Sequence, residues 1–253
     1  MDWALQITDL SQGTFLALVA ITFVAGIVRG FSGFALSALV MASAATFLAP
    51  VLLIPILWFL EMSASLMMAR AGIKDADRGV AMLLVAGSVI GWPLGLWLTL
   101  SMQVDTSRAV ALSIIVVLAV LQLGKVRIPG LPSKAGTLTA GILAGIGSGL
   151  AHVGGMVIAL YVLSLGSAAR SMRGTLVLFL FASGFFSLFI QLGFGTMTTT
   201  AAARGLLLIP PTLLGVWLGT KLFIPRWESY YKPFCLSLLI GLASLGLIRT
   251  QIV

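Results

Sequence analysis

Apolar residues along the chain gather into ten runs. Five lie at roughly 13–30, 33–49, 51–69, 79–100 and 107–124, and five more at roughly 136–151, 154–169, 174–194, 201–222 and 232–249. Charged and polar positions collect in the short stretches between them. A helix needs about 20 apolar residues to cross a bilayer, and the third, fourth, eighth, ninth and tenth runs supply that easily. The pairs 13–30/33–49 and 136–151/154–169 are shorter and are joined by little besides glycine. Each pair reads either as two tight spans or as a broken-helix hairpin whose tip stops inside the membrane. Lipid tolerates only helices and closed barrels, and barrel strands alternate over far shorter segments than these. The pattern therefore predicts an all-α polytopic membrane protein.

Composition agrees and narrows the class. Of the 253 residues 60% are hydrophobic and 9% charged, against about 25% charged in a soluble domain. Mean hydropathy is +1.14. These values exclude a soluble globular protein, a disordered chain and a peripheral protein with one anchor. Cys235 is the one cysteine, so no internal disulfide forms. His152 is the one histidine and there are seven carboxylates, too few donors for a metal cage or haem bundle. No cofactor is implied. The net charge of +8 is spread through the loops as a topology signal, not gathered into a nucleic-acid footprint.

Alternating the runs across a membrane puts 12 of the 15 basic residues on one side and Arg108, Arg204 and Arg249 on the other. The basic side is cytoplasmic by the positive-inside rule, so both termini are expected outside the cytoplasm. Met1-Asp2-Trp3 has no basic residue before Arg29, unlike the start of a cleavable signal peptide. Five runs per half is an odd number, so two related halves would have opposite topology. Ala25-Gly26-Ile27-Val28-Arg29-Gly30 matches Ala144-Gly145-Ile146-Gly147-Ser148-Gly149 at an offset of 119. Gly95-Leu96-Trp97-Leu98 matches Gly215-Val216-Trp217-Leu218 at 120. The expected division is a first five-segment repeat over 1–124, a cytoplasmic linker over 125–135 and a second repeat over 136–253. Inverted repeats of this kind mark secondary transporters, with the site where broken helices meet.

The candidate chemistry sits at the two glycine clusters. In Arg29-Gly30-Phe31-Ser32-Gly33-Phe34 a helix break would free backbone N–H groups for an anion, with Arg29 adding charge and Ser32 a hydroxyl. The bland alternative makes Arg29 an ordinary topology residue among small packing residues. The matching cluster, Gly145 to Gly155, holds five glycines together with Ser148 and His152. His152 is either an anion donor or proton shuttle, or a histidine bonded to a neighbouring helix. Substrate contact is expected at Arg29, Ser32, Ser148 and His152, with Gly33, Gly149, Gly154 and Gly155 shaping the site. Glu61 stands within an apolar run, a costly position unless it is paired, protonated or facing water. It is the coupling or gating candidate, able to carry a proton or hold Arg29; its plain alternative is a protonated structural glutamate. Arg173 is a second gating candidate at the cytoplasmic mouth, and otherwise a helix anchor. Pro50, Pro55, Pro93, Pro210 and Pro211 are expected to kink helices, and Trp58, Trp92, Trp97 and Trp217 to serve packing or the membrane interface.

The motifs Arg29-Gly-Phe-Ser-Gly-Phe-Ala35 with Pro50, Gly91-Trp-Pro-Leu-Gly95, Gly149-Leu-Ala-His-Val-Gly-Gly155, Arg173-Gly-Thr175 and Pro210-Pro-Thr-Leu-Leu-Gly-Val-Trp-Leu-Gly219 together span nearly the whole chain. In combination they resemble the sulfite exporter TauE/SafE family. The resemblance implies a multi-span carrier of small sulfur-containing anions such as sulfite, sulfonates or related acids, set in the plasma (inner) membrane of a bacterium. Phe34 and His152 interrupt a glycine stretch that many members share, and Glu61 matches no family motif. The expected function is export by alternating access, and not enzymatic. One alternative is a proton-coupled importer of a related anion. Another is an intramembrane hydrolase using Ser32 and His152, since Gly30-Phe31-Ser32-Gly33 resembles the rhomboid nucleophile motif; the chain has no asparagine and no second histidine to build an oxyanion hole. Expected partners are a small anionic substrate and the lipid bilayer, with no nucleic acid. The Gly-xxx-Gly faces suit internal packing and a homo-oligomer equally.

Overall fold

The computed structural model describes residues 7–72, 76–126, 133–165, 169–222 and 228–252. Ten helices occupy them, near the places of the ten apolar runs: α1 (Gln12–Ser32), α2 (Leu36–Ala44), α3 (Pro50–Gly72), α4 (Arg78–Ser101), α5 (Val104–Leu123), α6 (Lys134–Ala151), α7 (Gly154–Leu165), α8 (Ala169–Gly193), α9 (Thr199–Leu222) and α10 (Glu228–Ile252). No strand occurs among the described residues. Side-chain caps set three of the starts. Ser11 accepts from the Thr14 N–H at 3.2 Å, Asp77 from Val80 at 3.0 Å and Ser133 from Gly136 at 3.0 Å. α6 thus begins inside the expected linker, of which 127–132 lie outside the described residues.

Seven helices are long and apolar enough to cross a membrane: α1, α3, α4, α5, α8, α9 and α10. α1 outgrows its apolar run because Ser11 caps it early and it continues through Arg29 to Ser32, giving 21 residues. Its partner α2 has 9 residues and α7 has 12. At 1.5 Å per residue these reach about 14 and 18 Å, short of the roughly 30 Å hydrocarbon core. Of the two alternatives for each glycine-joined pair, these lengths favour the broken-helix hairpin over two tight full spans. Each is a longer helix, a sharp break and a short helix.

Large apolar side chains point outward, among them Ile90, Leu94, Trp97, Leu214, Trp217 and Phe234. Inside, apolar side chains such as Leu53, Leu57 and Phe179 pack with small residues and with polar ones, including Arg29, Glu61, Ser65, Gln122 and Gln191. That arrangement suits lipid as the surrounding medium, where small residues and interhelical hydrogen bonds hold helices together. α4 lies along α6 and α1 along α9. In the first pair Gly87, Gly91 and Gly95 face the carbonyls of Leu138, Ile142 and Ile146, while Gly141 and Gly145 face those of Leu84 and Ser88. In the second pair Gly26 and Gly30 face the carbonyls of Thr212 and Val216, and Gly215 and Gly219 those of Phe23 and Ile27. A Cβ at any of these glycines would collide with backbone. Thr99 adds a bond from its hydroxyl to the Gly149 carbonyl at 2.9 Å. α5 packs on α10, and α3 on both α8 and α9. Of the five prolines expected to kink helices, Pro55, Pro93, Pro210 and Pro211 lie inside helices, whereas Pro50 opens α3, a position where its missing N–H costs nothing.

Candidate functional site

Both helix breaks are made the same way. α1 ends at Gly33, whose φ of 78° is left-handed and whose N–H returns to the Arg29 carbonyl at 2.9 Å. The chain then turns through Ala35, also left-handed at φ 75°, into α2. α6 ends at His152, φ 55°, with its N–H on the Ser148 carbonyl at 2.8 Å, and α7 follows at once. Glycine takes the first such position without strain; at Ala35 and His152 a Cβ is forced into a conformation L-residues avoid. Strain of this kind concentrates at functional sites.

The two breaks open on one cavity of about 30 Å³, lined by Arg29, Ser37, Trp58, Glu61, Trp92, Ser148, His152, Gly155, Ser183 and Ser187 among others. A single water needs about 10–15 Å³, so the space fits a small solute. Arg29 is wholly buried. One guanidinium nitrogen donates to the Gly33 carbonyl at 2.7 Å, the other to Ser65 Oγ at 3.1 Å. The second also lies 3.1 Å from Glu61 Oε2 in an ion pair whose alignment falls short of a hydrogen bond. Arg29 Nε has no hydrogen-bond partner among the described residues.

Glu61 turns its other oxygen to the start of α2. Oε1 accepts from the Ser37 hydroxyl at 2.6 Å and from the Ser37 N–H at 3.3 Å. A carboxylate at a helix N-terminus is favoured by the unpaired N–H groups and the helix dipole. The anion position expected at the first break is thus filled by the protein's own glutamate. At the second break the start of α7 meets Ser148 and His152, and no carboxylate other than Glu61 lines the cavity. His152 Nδ1 has no hydrogen-bond partner among the described residues, and its ring stands edge-on to Trp92 with centroids 5.9 Å apart.

Of the residues expected from sequence, Arg29, Glu61, Ser148, His152 and Gly155 meet at this cavity. Four others sit elsewhere. Ser32 donates to the Phe34 carbonyl at 2.6 Å and accepts from the Phe34 N–H at 3.3 Å, closing the turn. Its hydroxyl is therefore committed locally and makes no dyad with His152. Gly33 supplies the turn and the carbonyl that Arg29 grips. Gly149 packs against α4 backbone at Gly95 and Leu96, and Gly154 against Ser148 and Ala144. The Arg173 side chain lies outside the described residues.

Several cavity residues escaped the sequence reading. Trp58 and Trp92, expected only to pack, both line the space, and Trp58 Nε1 donates to the Gly184 carbonyl of α8 at 2.7 Å. Trp97 and Trp217 do face outward. Ser37 carried no signal, nor did Ser65, which lies outside the lining and accepts from Arg29. Ser183 and Ser187 did carry one, in their four-residue spacing within an apolar run, which puts both on one helix face.

A family model described as Sulfite exporter TauE/SafE matches residues 18–245. No match was found among curated proteins or among solved structures.

Proposed function

The chain belongs to the sulfite exporter TauE/SafE family of membrane transporters, and we propose that it exports a small sulfur oxyanion, sulfite or a short sulfonate, through the Arg29–His152 cavity. The observation that carries this reading is the unequal occupancy of the two helix starts. α2 already has Glu61 on it, while the α7 start faces Ser148, His152 and the nearby Arg29 with no carboxylate of its own. An incoming anion takes the second position, where backbone N–H groups, a hydroxyl and the imidazole replace its water. Arg29, fixed at three points, lends charge without reorganising. A cavity of about 30 Å³ favours a compact anion over a long-chain acid.

Alternating access follows from an inverted repeat, and the packing supports one. The left-handed residues Gly33 and His152 are 119 positions apart. Gly30 meets Val216 in one helix pair, and Gly149 meets Leu96 in the other. Offsets of 119 for Gly30 and 120 for Leu96 carry one contact onto the other. Rocking about the α1/α9 and α4/α6 seams exposes the cavity first to one side, then to the other. With the basic loops cytoplasmic and both termini outside, in a bacterial inner membrane, a monoanion leaving gains about 2.3 kcal/mol per 100 mV. Export then needs no coupling ion.

A second reading is favoured by one contact. Glu61 Oε2 is near Arg29 without a well-aligned hydrogen bond, so a proton added there releases Arg29 toward the anion. Proton and monoanion would then cross together with no net charge, as in a proton-coupled importer. Flux in proteoliposomes separates the two. Export of the first kind follows an imposed potential at constant pH and disappears in Arg29→Ala. The coupled mode follows a pH gradient, ignores potential and loses uphill accumulation in Glu61→Gln. Failure of every sulfur anion, with a carboxylate carried instead, would sink the substrate assignment.

A further inference from the structure

Beyond the central cavity, one buried group has no account in the fold. Gln191 on α8 is fully buried, yet neither Oε1 nor Nε2 has a hydrogen-bond partner among the described residues. Buried amides are ordinarily satisfied, and an unsatisfied one calls for a reason. Its position supplies one. Ser183, Ser187 and Gln191 follow at intervals of four, so they share one face of α8. The first two line the cavity, and Gln191 stands one turn beyond, about 5.4 Å closer to the Gly193 end. The opposite face of this stretch carries Phe185, Phe189 and Leu192, all exposed, so the polar stripe is the inward one.

The stripe also has suitable chemistry for a passing ion. The Ser187 hydroxyl donates to the Gly184 carbonyl at 2.8 Å and the Ser183 hydroxyl to Leu180 at 3.5 Å. Each proton rests on its own helix, so it can turn to an anion without breaking a contact between helices. Conduction needs sites that bind enough to admit the ion and weakly enough to release it. Neutral hydroxyls and an amide meet that condition better than a second arginine.

Resting on the transport reading above, we propose that Gln191 is an outer station for the oxyanion, reached from the cavity along Ser183 and Ser187 and closed in the conformation described. The test compares wild type, Arg29→Ala and Gln191→Leu in proteoliposomes with sulfite and methanesulfonate. Methanesulfonate affinity of the detergent-purified proteins is read in parallel from tryptophan fluorescence. Gln191→Leu is expected to slow flux about tenfold or more while leaving central affinity within about twofold, as removal of a transit site should. Wild-type flux in Gln191→Leu overturns the outer station and leaves the transport reading standing. Loss of central affinity alongside flux overturns it too, because Gln191 would then be supporting the cavity. No sulfur-anion flux in wild type overturns both. Should Gln191→Leu not fold, Gln191→Cys in a Cys235→Ser background is treated with anionic and cationic membrane-impermeant thiosulfonates. Faster labelling by the anionic reagent is expected; no labelling by either overturns the proposal.

Discussion

Arg29 illustrates what a single side chain can be asked to do inside a membrane. Its charge is balanced by Glu61, its fork is held by Gly33 and Ser65, and its Nε has no hydrogen-bond partner among the described residues. Taking away one partner of a buried ion pair costs about 3–5 kcal/mol, because the other charge is left uncompensated. Arg29→Ala is therefore expected to lower the thermal stability of the purified protein sharply, and Arg29→Ala/Glu61→Gln to recover part of the loss. With Glu61→Gln measured as the fourth corner of the cycle, losses in the two single variants that simply add up in the double variant would mean that the pair is not energetically coupled. Arg29→Lys keeps the charge but cannot reproduce the planar fork, so flux should fall although folding survives. Ser32→Ala removes a hydrogen bond that closes a turn, a change of about 0.5–1.5 kcal/mol. Transport should persist in that variant, which a hydrolase centred on Ser32 would not allow.

Among the helices, glycine spacing governs which ones meet. Gly91 faces the Ile142 carbonyl so closely that no Cβ fits, whereas Gly241 on α10 has nothing within 4 Å. Gly91→Ala must push α4 and α6 apart, at about 1–3 kcal/mol by analogy with overpacked cores. Gly241→Ala meets nothing and gains up to about 1 kcal/mol of helix propensity. The fraction of monodisperse protein after heating should drop for the first and hold or rise for the second. Equal behaviour would mean that the α4/α6 seam is looser than its backbone contacts show.

Across the whole molecule, the arrangement places a buried Arg29–Glu61 ion pair at a cavity walled by several helices. Both termini are proposed to lie outside the cytoplasm, and reporter domains fused to each end measure this directly. A reporter active only in the cytoplasm should be silent at both positions; activity at either one breaks the proposed orientation. The positive-inside bias that sets the topology is a property of the loops, independent of how the cavity is built.

How far the chain could be read without its fold follows from the range of the forces involved. Helix positions, and the two breaks, were legible because apolar runs, caps and glycine clusters act over a few residues. Arg29, Glu61, Ser148 and His152 stood out because charge and polarity are costly in lipid wherever the chain runs. Their grouping was not legible. That Glu61 reaches the start of α2 and pairs with Arg29, that Ser32 turns away to Phe34, and that Trp58 and Trp92 wall the cavity all depend on contacts between distant segments. Repeated glycines announced close helix packing but not that α1 would choose α9, or α4 choose α6. The local cost of burial marks which residues must find partners; the mutual packing of ten helices settles which partners they find.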